Sequence, residues 1–386
     1  MTPSLRTLTI PAGQRALDVL PALRDILHGD DPAVLPVPAD DPREIDRLTS
    51  ALRPGEPIED GIALVVATSG TTGVPKGAML SAAALRASGT ATQTFLGGPG
   101  AWLLALPAHH IAGLQVLLRS LLAGTEPVVL DVSSGFDPAD LVRGIEAMSG
   151  SRRYTSLVPT QLVKALDDPA ATAALADLDA VLIGGAATPV VLRERAEAAG
   201  ITIVRTYGMS ETCGGCVYNG VPLDGVQVRI AEGGRVLLGG DVLASGYRGL
   251  PEHPAFAERG WFRTDDAGSV RDGVLTISGR LDEAISTGGL TVVPQVVEAA
   301  LSTHAGVREC AVVGLTDPRL GQRVVAAVVP SATPPTLDEL REHVIARLDP
   351  TAAPRELYLL DALPLRGPGK VDRAALRAAL AARSSN

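Results

Sequence analysis

The chain predicts an α/β protein: helix-covered sheets form a large N-terminal domain that continues into a β-rich subdomain, and a small α+β domain follows at the C-terminus. Three observations carry that prediction. From Gly61 to about Val204, short apolar runs alternate with segments of helical period, the rhythm of a sheet covered by helices. After Tyr207 the texture becomes Gly-rich and short-stranded, as hairpins and meanders require. Roughly the last hundred residues then restart as strand, helix and strand.

In chain order, residues 1–60 supply one amphipathic helix candidate, "QRALDVLPALRDILHG", with Leu17, Leu20, Ala22, Leu23, Ile26 and Leu27 as its apolar residues. A Pro/Asp-rich connector follows. The strand candidates are then "GIALVVA", "AWLLAL", "PVVLD", "YTSLV", "AVLIGG" and "ITIVR", separated by helix-length segments such as "SAAALRASGTATQTF" and "PVVLRERAEAAG". "VQVRIAEGGRVLLGG" and "GSVRDGVLTISG" read as hairpins. "ECAVVGL" and "RVVAAVV" read as strands, and "TLDELREHVIARL" and "VDRAALRAALAAR" as helices. Charged, turn-forming "GRLDEA", residues 279–284, marks the expected seam, which divides the chain into 1–281 and 283–386.

A chain of 386 residues is long enough for two or three domains, and with aromatics at 3% its core must rest on Ala, Val, Leu and Ile. A net charge of -9 without a dense basic block argues against a nucleic-acid partner. No apolar run approaches the roughly 20 residues of a membrane span. The N-terminus lacks the pattern of an export signal, so a cytoplasmic protein is expected. Three cysteines do not make a disulfide framework, and "CGGC" has no second pair or nearby His to complete a metal site. A homodimer is compatible with the sequence, which does not specify an oligomeric state.

The stretch richest in chemistry is "TSGTTGVPKG", residues 68–77, directly after an apolar run. Backbone N–H groups and hydroxyls there can donate to phosphate oxygens while Lys76 supplies a point charge. It departs from the P-loop pattern, because Pro75 stands where that pattern has its second Gly. Further along come "LPAHHIAG" (106–113), "YGMSET" (207–212), "GWFRTDD" (260–266), "GRLDEAISTGG" (279–289) and "PLRGPGK" (364–370). In this order the six motifs resemble those of the adenylate-forming superfamily of acyl-CoA synthetases, luciferases and peptide-synthetase adenylation domains.

The resemblance implies attack of a carboxylate on the α-phosphate of ATP, followed by transfer of the acyl group to coenzyme A. It implies that Thr68, Ser69, Gly70, Thr71, Thr72 and Lys76 hold the β- and γ-phosphates, and that Glu211 ligates Mg²⁺. Ser210 would meet the α-phosphate; Tyr207 would stack on adenine, with Gly185 and Ala186 lining its other side. Asp266 would accept the ribose hydroxyls, and Arg280 would reach ribose or phosphate. Lys370 would bridge carboxylate and α-phosphate during adenylation. Asp282 would be the hinge of a mobile C-terminal domain, Gly289 would border the CoA arm, and His110 would orient the substrate. Three departures stand out: Asp265 where the family has Gly, Ser286 where Lys is usual, and a phosphate loop about a hundred residues earlier than in full-length members.

The shortened form resembles actinobacterial o-succinylbenzoate:CoA ligases of menaquinone biosynthesis. In that branch an Arg follows the motif His by nine residues, the place of Arg119 here, and this Arg is the expected partner of the substrate's aromatic carboxylate. The competing readings are an aryl or fatty acyl adenylating enzyme that loads a carrier protein and a degenerate, non-enzymatic binding protein.

Overall fold

Parallel strands joined through helices build the first of two units into which the chain divides. The computed structural model describes residues 3–29, 32–68, 75–366 and 370–384. The first unit comprises Met1–Arg229, Leu237–Arg263 and Asp272–Leu275; the second comprises Ile230–Val236, Thr264–Arg271 and Thr276–Asn386.

In the first unit, strands Arg6–Ile10, Val34–Pro38 and Ile62–Thr68 run parallel, and Lys76–Ser81 returns antiparallel to Ile62–Thr68. Two of these strands lie in the segment whose sequence suggested only a helix and a connector. Val34–Pro38 is buried at every position, yet Pro36 and Pro38 cannot donate to a ladder and so mask the strand in the sequence. The predicted helix resolves into a 3₁₀ turn, Gly13–Val19, and an α-helix, Leu20–His28, with Pro21 in its first turn. A further helix, Pro42–Leu52, is capped by Asp41, whose carboxylate accepts the Glu44 N–H at 3.0 Å.

A second sheet of seven strands contains the parallel strands Ile203–Met209, Ala180–Ile183, Arg153–Leu157, Ala101–Leu104 and Val128–Val129, in that spatial order. The strand Gly214–Tyr218 lies antiparallel beside Ile203–Met209. Both faces are covered. Trp102 and Leu104 join one core cluster, while Ala101 and Leu103 join another on the opposite side, which explains why "AWLLAL" is apolar without alternation. At roughly 1.5–3 kcal/mol for each fully buried large apolar side chain, these layers supply the main stabilisation of the unit. The loops at the carboxyl ends of such strands are where open α/β sheets bind ligands.

The second unit is organised around the hairpin of Val307–Asp317 and Gly321–Pro330, paired from Val307↔Pro330 to Asp317↔Gly321. Val312, Val324, Ala326 and Val328 pack in the cluster that holds Val297, Leu301, Leu340 and Val344, residues of helices Pro294–Leu301 and Leu337–Ile345. Alternate residues Ala311, Val313, Val325 and Ala327 pack with Leu376 and Leu380 of the last helix, Arg373–Ser384. The Arg373 guanidinium is held by Glu283 at 2.7 Å and by Glu298 at 2.5 Å and 2.9 Å. Among the described residues, no helix is long and apolar enough to cross a membrane.

Candidate active site

The glycine-rich stretch connects two antiparallel strands, with Thr68 and Lys76 as their last facing pair. The flanking elements are thus both strands, whereas a P-loop runs from a strand into a helix. Ser69, Gly70, Thr71 and Thr72 lie outside the described residues. The open edge of Lys76–Ser81 is covered by the segment Ser245–Arg248: Ser245 N–H donates to Met79 O, Met79 N–H to Gly246 O, and Arg248 N–H to Gly77 O, at 2.8–3.0 Å. This docking brings Tyr247 and His253 to the lysine. Lys76 Nζ lies 5.0 Å from the centre of the Tyr247 ring and 3.3 Å from His253 Nε2.

The Tyr247 hydroxyl donates to Glu211 Oε1 at 2.5 Å, and Glu211 is 6% exposed. A charge-assisted bond of this kind fixes the orientation of a buried carboxylate. Glu211 and Ser210 follow the parallel strand Ile203–Met209, which also carries the half-buried Tyr207. Ser210 Oγ donates to Ala67 O at 3.2 Å, a bond that donation to a phosphate would replace. Gly185 and Ala186 stand exposed just after the strand Ala180–Ile183. The donor set suits a magnesium–nucleotide complex better than a bare ion. The described residues hold no group of three metal-ligating side chains, and a magnesium ion at Glu211 would take its remaining oxygen ligands from phosphate and water. Neither Tyr247 nor His253 was singled out from the sequence, because "SGYRGLPEHPAF" has no apolar period and reads as a loop.

His110 is the N-cap of helix Ile111–Ala123, and its ring packs on His109 at 4.2 Å. Burial lowers the pKa of His109, partly offset by the charges of Glu44 and Asp41. The motif's final glycine, Gly113, has a packing cause: a Cβ there would come within 2.4 Å of Pro107 O. Two turns into the helix, Arg119 is 3% exposed. Its Nη2 donates to the Tyr218 hydroxyl at 3.1 Å, and its guanidinium lies 5.2 Å from the Trp102 ring. Its Nε has no partner, and among the described residues no carboxylate pairs with it. Trp102 Nε1 and Gln115 Oε1 are likewise buried without partners, Gln115 one helical turn before Arg119.

In the second unit, Asp266 is 7% exposed and its N–H donates to Thr264 Oγ1. Arg280 makes two bonds to Asp282, at 2.8 Å and 2.7 Å, and stands 3.7 Å from Asp266. Burial opposes its charge, but the bonds to Asp282 and the charges of Asp266, Asp282 and Asp265 outweigh that and raise its pKa. The unexpected acid, Asp265, has its own cation: Arg235 meets it at 3.0 Å and also donates to Thr264 O. Gly288 and Gly289, at φ +59° and +80°, form the two-residue turn between strands Ile285–Thr287 and Leu290–Val292. A Cβ on Gly289 would meet nothing within 4 Å, so within the chain its glycine is explained by the turn rather than by crowding. Lys370 opens the short strand Lys370–Val371, which pairs with Leu365–Arg366.

Cys213 and Cys216 are buried free thiols, and burial pushes Cys216 up to about 12.

Residues 8–245 match the AMP-binding enzyme family, and residues 296–370 match the AMP-binding enzyme C-terminal domain. The chain belongs to the AMP-binding enzyme family. It is 60% identical to a probable 2-succinylbenzoate–CoA ligase of Mycobacterium tuberculosis, over 96% of this chain and 97% of that protein. It is 31% identical to a 2-succinylbenzoate–CoA ligase of a Geobacillus species, over 82% of this chain and 69% of the relative. Among solved structures, E. coli MenE with a bound analogue of OSB-AMS superposes with TM-score 0.76 at 26% identity, covering 100% of this chain and 89% of that one. The ATP-bound RpMatB-BxBclM chimera B3 superposes with TM-score 0.86 at 22% identity, over 99% of this chain and 90% of the other, and supports the fold alone. The family predicted from the ordered motifs and the α/β architecture predicted from the alternation of apolar runs and helical segments are thereby borne out.

Proposed function

We propose that this enzyme is an AMP-forming ligase that joins 2-succinylbenzoate to coenzyme A through an acyl-adenylate, in the cytoplasm, at the menaquinone step indicated by its sequence motifs. The observation that carries the substrate is Arg119: a buried guanidinium with an unpartnered Nε and no acidic partner among the described residues, nine positions after His110. A buried cation left without a counter-ion is costly for folding alone. A substrate carboxylate, bonded directly or through an ordered water, supplies the missing charge.

In the first step two anions must meet. ATP brings the α-phosphate; Glu211, held by Tyr247, would ligate magnesium, which when bound would neutralise phosphate charge. Thr68 and Lys76 hold the β- and γ-phosphates with the hairpin's hydroxyls. Lys370 donates to the carboxylate and the α-phosphate as the charge shifts, Ser210 meets the same phosphate, and Asp266 and Arg280 receive the ribose. Tyr207, Gly185 and Ala186 bracket adenine. In the second step the thiol of coenzyme A is itself the nucleophile. Asp282 is the hinge, Gly289 borders the CoA arm, and His110 orients the acyl group.

Pyrophosphate release is the direct test, measured with 2-succinylbenzoate, benzoates and fatty acids, each with and without coenzyme A. Selective turnover of 2-succinylbenzoate, completed by CoA thioester formation, is expected. In Lys370→Ala, adenylate formation should vanish while thioester formation from supplied acyl-adenylate persists. Equal loss of both half-reactions contradicts the role given to Lys370.

A further inference from the structure

We propose that Gln115 is a positioning residue for the magnesium–nucleotide site: it holds the backbone of Cys213 in a left-handed conformation and so fixes where the Glu211 carboxylate stands. The inference rests on the adenylation reading above and extends it to a residue outside the six motifs, one that acts through another.

The argument begins with the backbone. Glu211 lies in a single 3₁₀ turn, Ser210–Thr212, which ends at Cys213. Cys213 has φ +53° and ψ +34°, the left-handed region that a residue with a Cβ enters only at a cost. Glycine enters it freely, as Gly214 does at the next position with φ +92°. The side chain of Cys213 is buried in the core cluster that holds Leu85 and Leu114, so a cysteine there fills space that glycine would leave empty. Its conformation therefore has to be held by bonds.

Some of those bonds close the turn on itself. Cys213 N–H donates to Ser210 O at 3.2 Å, and Thr212 Oγ1 donates to Gly214 O at 2.7 Å. The Cys213 carbonyl then ties the turn to two helices. It accepts from Gln115 Nε2 at 2.6 Å and from Ser88 Oγ at 3.2 Å. Gln115 belongs to the helix Ile111–Ala123 and Ser88 to the helix Ala82–Phe95, and both side chains are buried, where such bonds are strong and their geometry is fixed. On the other side of the turn, Ala244 N–H donates to Glu211 O at 2.8 Å and the Tyr247 hydroxyl holds the carboxylate. Glu211 thus stands between two anchors, and Gln115 is the shorter bond of the second.

The amide is not explained by packing. Gln115 is 1% exposed, and its Oε1 meets no donor among the described residues. An apolar side chain of similar size would fill the place without burying that acceptor. What the glutamine contributes is its donation to Cys213. Magnesium makes such a contribution matter, because it takes oxygen ligands in a narrow range of distance and direction, and groups behind a ligand set its aim. A carboxylate that swings with a loosened turn loses that aim, while the fold around it stays intact.

Calorimetry on the full chain tests this with ATP in magnesium and ATP in EDTA, for the wild type, Gln115→Leu, Glu211→Gln and the double variant. Gln115→Leu should weaken binding of Mg·ATP about fivefold, the size of one neutral hydrogen bond, and leave ATP in EDTA within about twofold. In the double variant it should add less than about twofold to the loss caused by Glu211→Gln, since nothing is left to position once the carboxylate is gone. Ser88→Ala removes the longer bond to the same carbonyl and should cost Mg·ATP about threefold, again without effect in EDTA. It carries the test if Gln115→Leu does not fold. Wild-type Mg·ATP affinity in a folded Gln115→Leu, or in Ser88→Ala where the former is unfolded, overturns the proposal. Equal weakening with and without metal also overturns it, because that pattern marks a distorted fold. So does the full fivefold loss in the Glu211→Gln background, which would mean that Gln115 acts by another route. If the wild type binds ATP no tighter in magnesium than in EDTA, or not at all, the reading of Glu211 as metal ligand fails first, and the role of Gln115 with it.

Discussion

Replacing Arg119 by Met separates a substrate-binding cation from a structural one, because the two roles predict opposite signs for stability. The substitution removes the bond to the Tyr218 hydroxyl, worth about 1.5–3 kcal/mol for a charged donor, and the contact over Trp102, worth about 1–2 kcal/mol when desolvated. It also removes a charge that is 3% exposed without an acidic partner among the described residues, and an orphaned Nε. The first costs several kcal/mol on burial and the second about 1–3 kcal/mol, so the terms cancel or favour the variant. Urea unfolding should therefore place Arg119→Met level with the wild type or about 1–2 kcal/mol above it. Activity should move the other way. Loss of a buried charge partner costs about 3–4 kcal/mol, a fall of roughly 10² to 10³ in kcat/KM for 2-succinylbenzoate. The comparison acid is 4-oxo-4-phenylbutanoate, which lacks the aromatic carboxylate and should be turned over nearly as well by variant as by wild type. A variant destabilised by more than about 2 kcal/mol that loses both acids equally would show Arg119 to be a packing residue and refute the reasoning.

Three further outcomes follow from the same geometry. Tyr247→Phe deletes the donor to buried Glu211 and should lower unfolding stability by about 1.5–3 kcal/mol while raising the KM for Mg·ATP; an unchanged urea midpoint would show that the bond contributes nothing. Asp265→Gly restores the residue usual in the family. Because the Arg235 pair is half exposed, stability should change by less than about 1 kcal/mol, and a KM for ATP altered more than about threefold would instead give Asp265 a part in ribose binding. Alkylation of Cys213 and Cys216 by iodoacetamide at pH 8 should be slower by at least about a hundredfold in the native than in the unfolded chain. Burial holds Cys216 up to about 12, so almost none of it is thiolate at that pH, and fast native labelling would contradict their burial.

Residues whose neighbours along the chain create the signal were legible in the sequence. The apolar runs of the second sheet, the hydroxyl-rich stretch before Lys76 and the motif around Glu211 all announce themselves locally. Val34–Pro38 was hidden, because its stability comes from burial between neighbouring strands while its prolines read as connector. Partnerships formed across the chain were hidden too: Tyr247 meets Glu211 across 36 residues, and His253 meets Lys76 across 177. The same limit explains Asp265, which looks like a misplaced acid until Arg235, thirty positions earlier, is seen beside it.

What the fold adds beyond residue types is a division among the cations. Arg235, Arg280 and Arg373 are met by carboxylates at 3.0 Å or closer, and each ties local structure together. Among the described residues Lys76 is met by an imidazole and an aromatic face, and Arg119 by a phenol and an indole. A paired cation has its counter-charge built into the chain, and its removal is felt first as lost stability. A cation held by neutral groups has been kept at a cost that folding alone does not require, and its counter-charge has to arrive with a ligand. On the function proposed above, the two anions of the reacting pair answer that difference, the phosphate end of the nucleotide at Lys76 and the second carboxylate of the acid at Arg119.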